Sequence, residues 1–162
     1  MIIEAEDSSH HIAVRLLHVE AFPSPAEADL VDQLRRDGDA SISLVAIAEG
    51  RVVGHVMFSR MKAAFRALGL APVAVAVDKR MQGVAAALIE EGIKRAKADG
   101  CEGIFVLGDP DYYRRFGFSA GAAAAFESPF AGPHLMLLPL GDMSVPSNAG
   151  QIEYAPAFST LG

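Results

Sequence analysis

The sequence predicts an α+β fold in which one mixed sheet is layered with helices. Three observations carry that reading. Segments of strand and helix period follow one another in the order β-α-α-β-β-β-α-β-α-β. Two β-rich runs meet at Glu49-Gly50, a hairpin signal. Residues 70–88, LAPVAVAVDKRMQGVAAAL, lead an apolar strand through a short polar link into a helix.

In chain order, residues 1–4 read as a short opening strand. Residues 7–9 can cap a helix reaching about Glu20, with Ile12, Leu16 and Val19 facing inward beside Ala13 and Leu17. A second helix starts with Ser24 as N-cap, Pro25 at N1 and Glu27 closing a capping box, and it stops near Asp37-Gly38. Residues 42–48 and 51–60 form the hairpin strands. Residues 63–68 read as a loop or a bulged edge. Residues 70–77 are the central strand, and Pro72 near its start marks an N–H that the ladder does not need. A helix from about Gln82 to Asp99 buries Ala85, Leu88, Ile89, Ile93 and Ala96, carries the pairs Glu90–Lys94 and Glu91–Arg95, and ends at Gly100. Residues 103–107, GIFVL, are a buried strand. Asp109 and Pro110 cap and open a short helix that ends at Phe116-Gly117. Residues 134–140 read as a strand, and residues 151–154 as a short last strand or extended tail.

Bulk properties bound the function. A chain of 162 residues makes one domain, residues 1–162, with a sizeable core. Hydrophobic residues make up 51% and mean hydropathy is +0.27, which argues against disorder. The net charge of −6 makes nucleic acid or an anionic membrane an unexpected partner. A single cysteine, Cys101, excludes an internal disulfide, fits a reducing cytoplasm and, lacking a neighbouring base, reads as inert. The opening MIIEAEDSSHH has neither a basic region nor an apolar one, so no signal peptide is expected. No apolar run approaches the roughly 18–20 residues of a membrane span. No metal is expected: His10 and His11 read as a solvated helix start, and no HExxH or Cys/His cluster exists.

The chemistry concentrates at the strand-to-helix link. The helix after residues 70–77 has no acid in its first turns, where Asp or Glu is usual. Arg80, Met81, Gln82, Gly83, Val84, Ala85 and Ala86 instead supply backbone N–H groups, a cation and little bulk, as a phosphate or pyrophosphate requires. The pattern is neither a P-loop nor a full Gly-x-Gly-x-x-Gly. What remains is Arg80-x-x-Gly83-x-Ala85. A second motif follows in VLGDPDYYRRFGF, with Tyr113 four residues before Gly117-Phe118.

These two motifs, in this order, resemble the GNAT superfamily of acyl-CoA N-acyltransferases. With GQIEYAPAF near the end, the chain is similar to the YhbS-like N-acetyltransferases over residues 2–158. The resemblance implies a three-layer α/β/α fold whose mixed, mostly antiparallel sheet splays between the central strand and the next one. It implies acetyl-CoA as co-substrate, with Val75, Ala76 and Val77 against pantetheine and the turn at residues 80–86 on the pyrophosphate. Gly108, Tyr113 and Phe116 would complete that site. A neutral amine would attack the acetyl carbonyl, and Tyr113 would protonate the departing thiolate. The loop after the first helix, with Glu20 and Phe22, would border the acceptor.

Several residues have two readings. Spacing alone leaves Tyr113 a core-edge aromatic or an acid, and Arg80 a surface cation or a phosphate ligand. Tyr112 reads as packing and Asp109 as an N-cap. His55, on a strand, is structural, a base, or a group that orients the amine. Met81 and Gln82 stand where the family usually has glycine and a basic residue, and Met81 is expected to stiffen the turn and weaken the phosphate contacts. No asparagine stands at Gly108-Asp109, and no general base is apparent. The whole chain is therefore read as a cytoplasmic N-acetyltransferase, monomer or homodimer, acting on a small or protein amine of unknown identity. Net charge alone favours a cationic acceptor. The competing reading is an acyl-CoA-binding sensor without turnover. Thioester hydrolysis is weaker, because no nucleophile elbow is present.

Overall fold

The structure, a computed structural model, describes residues 1–141 and 149–161. The chain runs β1 (Ile2–Ala5), α1 (His11–Ala21), α2 (Ala26–Asp37), β2 (Ala40–Ala48), β3 (Arg51–Arg60), β4 (Ala67–Val75), α3 (Val84–Ala98), β5 (Gly103–Leu107), α4 (Pro110–Tyr113), α5 (Ala120–Ala123), β6 (Phe126–Glu127), β7 (Leu135–Pro139) and β8 (Gly150–Gln151). Six strands form one sheet in the order β1-β2-β3-β4-β5-β7. Every neighbouring pair is antiparallel except β4 with β5. The architecture is the α+β, mostly antiparallel arrangement expected.

Side chains alternate across the sheet with a period of two. Val45 of β2 and Met57 of β3 pack against Val14 of α1 and Leu30, Val31 and Leu34 of α2. Their neighbours Leu44, Ala46, Val56 and Phe58 join the cluster that contains Leu88 and Ile89 of α3. A third cluster joins Phe105 of β5 and Leu135 and Leu137 of β7 to Ala123 and Phe126.

Local chemistry sets most boundaries where the sequence puts them. Glu49 and Gly50 both have positive φ, 53° and 74°, as a two-residue hairpin turn requires. Gly38 ends α2 in the left-handed conformation. Asp109 caps α4, its side chain accepting the Asp111 N–H at 3.0 Å.

Four expectations need correction. First, α1 is entered through a 3-10 turn at Ser8–His10 capped by Asp7, and it turns a different face inward. Val14, Leu17 and His18 are buried. Ile12, Leu16 and Val19 are exposed at 80, 56 and 43%. Both triplets have helical spacing, and the inward one was hidden because it contains a histidine. Second, α2 starts at Ala26 with Pro25 at the cap position; Ser24 Oγ still accepts the Ala26 N–H at 3.3 Å, but the box with Glu27 does not form. Third, β4 starts earlier and ends earlier than residues 70–77. Its first residues, Ala67, Leu68 and Gly69, pair with β5, while Val77 lies in a 3-10 turn, Val77–Lys79. Fourth, α3 starts at Val84, because Met81 and Gly83 both adopt positive φ, 64° and 82°.

On α3 the buried stripe is Val84, Leu88, Ile89, Gly92 and Ala96, with Ala85 and Ile93 half-buried. Glu91 pairs with Arg95 at 3.0 Å. Gly92 is required by contact: a Cβ there would lie 2.1 Å from Cε1 of Phe58. Alanine would gain about 1 kcal/mol of helix propensity, but overpacking a core costs about 1–3 kcal/mol or more. We expect Gly92→Ala to be net destabilising, seen as a lower urea midpoint at unchanged slope; an unchanged or raised midpoint would show that α3 can lift off Phe58 freely.

Candidate active site

The site begins as a failure of strand pairing. β4 and β5 pair at only three positions, Ala67↔Gly103, Leu68↔Ile104 and Gly69↔Phe105, and then separate. The register of β4 against β3 shifts at this point: Phe58 faces Leu70 but Val56 faces Val73, so β4 carries one extra residue around Pro72. A bulge of this kind bends and twists its strand, and a proline has no N–H to lose there.

Beyond the bulge, β4 has one free side. The Ala76 N–H donates to the Val53 carbonyl of β3 at 2.8 Å. Polar groups on an antiparallel strand alternate in direction. Val73 and Val75, lying opposite Val56 and Gly54, therefore turn their N–H and C=O groups toward the split. Of the three residues predicted to line pantetheine, Val75 keeps that geometry. The Ala76 N–H is committed to β3, and Val77 sits in the exposed turn. Val73 was missed; direction of polar groups along a bulged strand is not written in local sequence.

At the end of β4, residues 77–83 turn into α3. The helix has no side-chain cap and no acid in its first turn. Its first bond to the preceding turn is Ala87 N–H to Gly83 C=O at 3.0 Å, which leaves Val84, Ala85 and Ala86 with unpaired N–H groups among the described residues. Those donors and the positive helix end suit an anion. Met81 projects wholly into solvent and Gln82 Nε2 donates to the Asp78 carbonyl at 3.1 Å, so both shape the turn. Arg80 Nε donates to the Val75 carbonyl at 3.3 Å. A cavity of about 550 Å³ lies over this turn, and Lys79, Arg80 and Arg115 bring cations to it.

A second cavity of about 330 Å³ continues along β4 and shares Val75, Arg80, Ala85 and Tyr112 with the first. Phe22 and Tyr113 both line it. The Tyr113 ring packs edge-on against Tyr112 at 5.1 Å and Phe118 at 5.9 Å, and tilts against Phe116 at 6.3 Å. Gly108 makes this possible, since a Cβ there would stand 2.6 Å from Cε2 of Tyr113. Burial, with a smaller push from Tyr112, raises the Tyr113 phenol to about 12, so it holds its proton throughout the neutral range. Arg115 stacks over the Tyr112 ring at 4.4 Å.

The candidate acceptor residues divide. Glu20 is exposed and lines neither cavity. Phe22 lines the second cavity and stacks on His18 with a centroid separation of 5.9 Å. His55 is fully buried beneath α1. Its Nε2 lies 2.8 Å from Oε2 of Glu6 and 2.8 Å from Oγ of Ser43, and its Nδ1 lies 2.7 Å from Nε2 of His18. Arg35 and Ser43 also bond to Glu6. A carboxylate only accepts, so His55 donates from Nε2, His18 donates to His55, and Nδ1 of His18 is left as a buried acceptor without a partner. Burial drives His18 down to about 3, and burial also lowers His55 despite Glu6 beside it. Burial would raise Glu6, but His55, Ser43 and Arg35 outweigh it and hold the carboxyl at about 2. Cys101 is also buried, its thiol pushed up and donating to the Gly103 carbonyl at 3.2 Å.

Comparison with known proteins gives a consistent picture. The family model of the acetyltransferase (GNAT) family matches residues 11–118. The chain is 34% identical to the uncharacterized N-acetyltransferase YhbS of Escherichia coli K12, covering 98% of this chain and 99% of that protein. It is 36% identical to the uncharacterized N-acetyltransferase YjhQ of the same strain, over 78% of this chain and 75% of that one. The crystal structure of the Escherichia coli YhbS protein in complex with CoA superimposes with a TM-score of 0.92 at 32% identity, covering 99% of this chain and 93% of that one. A GNAT acetyltransferase from Brucella melitensis in complex with acetyl-CoA gives 0.80 at 30% identity, with 97% of each chain covered.

The buried imidazoles fix a pH response. Unfolded histidines bind protons near pH 6.5, whereas His18 stays neutral in the fold down to about 3 and burial shifts His55 in the same direction. Their contribution is complete above about pH 6.5 and is lost as pH falls, by about 1.4 kcal/mol per pH unit for His18 down toward its folded value of about 3, with His55 adding a loss of the same sign. Glu6 adds a third loss between its unfolded value of 4.5 and about 2. Urea midpoints are expected to be flat above pH 7 and to fall below 6.5, with a shallower fall between pH 6 and 5 in His18→Leu. A flat profile down to pH 5 would refute the neutral, buried pair.

Proposed function

We propose that this chain, which belongs to the acetyltransferase (GNAT) family, transfers an acetyl group from acetyl-CoA directly to the nitrogen of an amine. One observation carries the reading. An uncapped helix N-terminus with free N–H groups stands at the end of a strand whose outward amides face a split in the sheet. A pyrophosphate on a pantetheine arm fits that pair of features, and the CoA and acetyl-CoA complexes of the two structural relatives support it.

In this reading the N–H groups of Val84, Ala85 and Ala86 and the side chains of Lys79, Arg80 and Arg115 hold the phosphates. Arg80 releases the Val75 carbonyl as it turns to them. Val73 and Val75 pair with the pantetheine amides. Binding energy from the remote nucleotide thus places the thioester beside Tyr113. The amine attacks the acetyl carbon, the C–N bond forms and the C–S bond breaks. The amine proton leaves to water, and the Tyr113 hydroxyl gives its proton to the thiolate. A phenol near 12 is a weaker acid than an ordinary thiol near 8.5. The apolar walls that raise the phenol raise the thiolate's proton affinity too, which brings the pair closer together. Residues 1–162 act as one catalytic domain. A cytoplasmic setting accords with the single cysteine, and the working unit is a monomer or homodimer.

Calorimetric titration of acetyl-CoA tests the site. Micromolar binding is expected, with loss of about tenfold or more in affinity for the double variant Arg80→Ala, Gly83→Glu. No binding to the native chain would overturn the reading. Tyr113→Phe is expected to lower kcat by about a hundredfold while acetyl-CoA affinity stays within about twofold. Undiminished turnover would remove Tyr113 from the reaction, and binding with no turnover of any amine in the native protein would favour a sensor.

A further inference from the structure

A cavity of about 290 Å³ lies apart from the cleft along β4 and shares none of its lining residues. Three aromatic rings wall it: Phe130 from the loop before β7, Tyr154 from the segment after β8, and Phe158 from the 3-10 turn Pro156–Leu161. Phe130 meets Tyr154 at 5.7 Å and 85°, and Tyr154 meets Phe158 at 5.1 Å and 52°. Planes set at such angles enclose a space rather than closing flat on one another. Local contacts hold each ring in place. The Phe130 N–H donates to Ser128 Oγ at 3.0 Å, and the Phe158 N–H donates to the Ala155 carbonyl at 3.0 Å. Tyr154 rests on β4, where a Cβ on Gly69 would lie 2.7 Å from its Cε1. The Tyr154 hydroxyl is buried without a partner, so the ring, not the hydroxyl, is what the cavity meets. Phe130 stays 41% exposed, an apolar ring held open to water.

The one charge at this cavity is negative. Glu153 is the only charged residue among its described lining. The Glu153 carboxylate lies 3.9 Å from Lys62 Nζ, with both side chains exposed. A loose pair in water contributes little and yields readily to another cation. We propose that the cavity binds a small organic cation whose ammonium nitrogen carries alkyl groups. The negative faces of aromatic rings attract such a head, and Glu153 supplies the counter-charge beside them. An unalkylated ammonium would want acceptors for its N–H groups, which ring faces do not offer. Alkyl groups instead fit the rings and the apolar sides of Pro129 and Pro156. A neutral molecule of the same shape would gain burial alone. Room suffices: a cavity of about 150 Å³ accommodates benzene, which is close in bulk to a trimethylammonium head. The net charge of −6 favours the approach of a cation. Binding here needs no acetyl-CoA, and no bond is made or broken.

The test follows the N-methyl proton line of choline in an NMR titration with the whole chain. The uncharged shape mimic 3,3-dimethyl-1-butanol serves as the comparison. Ring currents should move the choline line upfield, and choline should bind at least about fivefold tighter than the alcohol. Phe130→Ala should cut choline affinity by about fivefold or more. Glu153→Gln should cut it by about twofold or more and leave the alcohol unchanged. Urea midpoints check that both variants fold; if Phe130→Ala does not, Glu153→Gln, an exposed change, decides. Saturating acetyl-CoA should leave choline binding as it is. Equal binding of choline and the alcohol would make the cavity merely apolar and overturn the proposal. So would no choline binding at about 50 mM, or binding that neither variant alters. Displacement of choline by acetyl-CoA would place the cation in the cleft and overturn it too. A failure of acetyl-CoA to bind, with choline behaving as expected, would remove the acetyl transfer and spare this site.

Discussion

One buried carboxylate organises the first third of this chain. Glu6 stands just past the end of β1, and its side chain receives Arg35 from α2, Ser43 from β2 and His55 from β3. His55 passes the connection to His18 on α1. Five elements therefore meet on a single charge and the imidazole pair attached to it. A buried ion is costly unless every lone pair is answered, and removing one partner from such a group typically costs about 3–5 kcal/mol. The arrangement decides which face of α1 turns inward. His18 can be buried only with this support, and burying it sends Ile12, Leu16 and Val19 to the surface. Because α1 ends at Ala21, the same rotation delivers Phe22 to the wall of the cleft.

The opposite wall depends on a different economy of space. β5 ends at Leu107, and Gly108 removes the one side chain that would collide with Tyr113. The short helix that carries Tyr113 is capped by Asp109 and runs into a 3-10 turn, Arg114–Phe116, that Gly117 closes in the left-handed conformation. Its aromatic neighbours fix the ring from several sides. The site is thus assembled from rigid pieces, and the mismatch between β4 and β5 provides the room. The bulge near Pro72 belongs to the same design, since it bends β4 away after only three paired residues.

Features with local causes were legible in the sequence. The Glu49-Gly50 hairpin, the Gly38 stop, the Asp109-Pro110 start, the GIFVL strand and the acid-free entry to α3 each depend on the residues at the spot, and the fold class follows from their order. What was hidden depends on partners far apart in sequence. Residues 6, 18, 43 and 55 carry no joint signal, so the polar cluster could not be foreseen, and the inward face of α1 was misread with it. The ends of β4 were misplaced for a related reason. Ala67, Leu68 and Gly69 have modest strand preference and are held by β5, whereas β-branched Val77 looks like strand yet turns away into the 3-10 turn just past the last β3 pair, Gly54↔Val75. The cleft followed the same division: its turn was readable from Gly83 and Ala85, but Val73, Lys79, Tyr112 and Arg115 became visible as lining only in three dimensions.

The half-paired end of β4 makes one strand behave as two. The Ala76 amide is locked to β3, while Val75 next to it turns its amide to the open split. Solvent hydrogen exchange along this stretch should therefore alternate residue by residue, slow where the amide faces β3 and fast where it faces the split. Ordinary fraying gives a smooth gradient toward the strand end. An odd–even pattern is instead the mark of an edge enclosed within a sheet, and whatever completes the ladder from the open side would erase it at Val73 and Val75 alone.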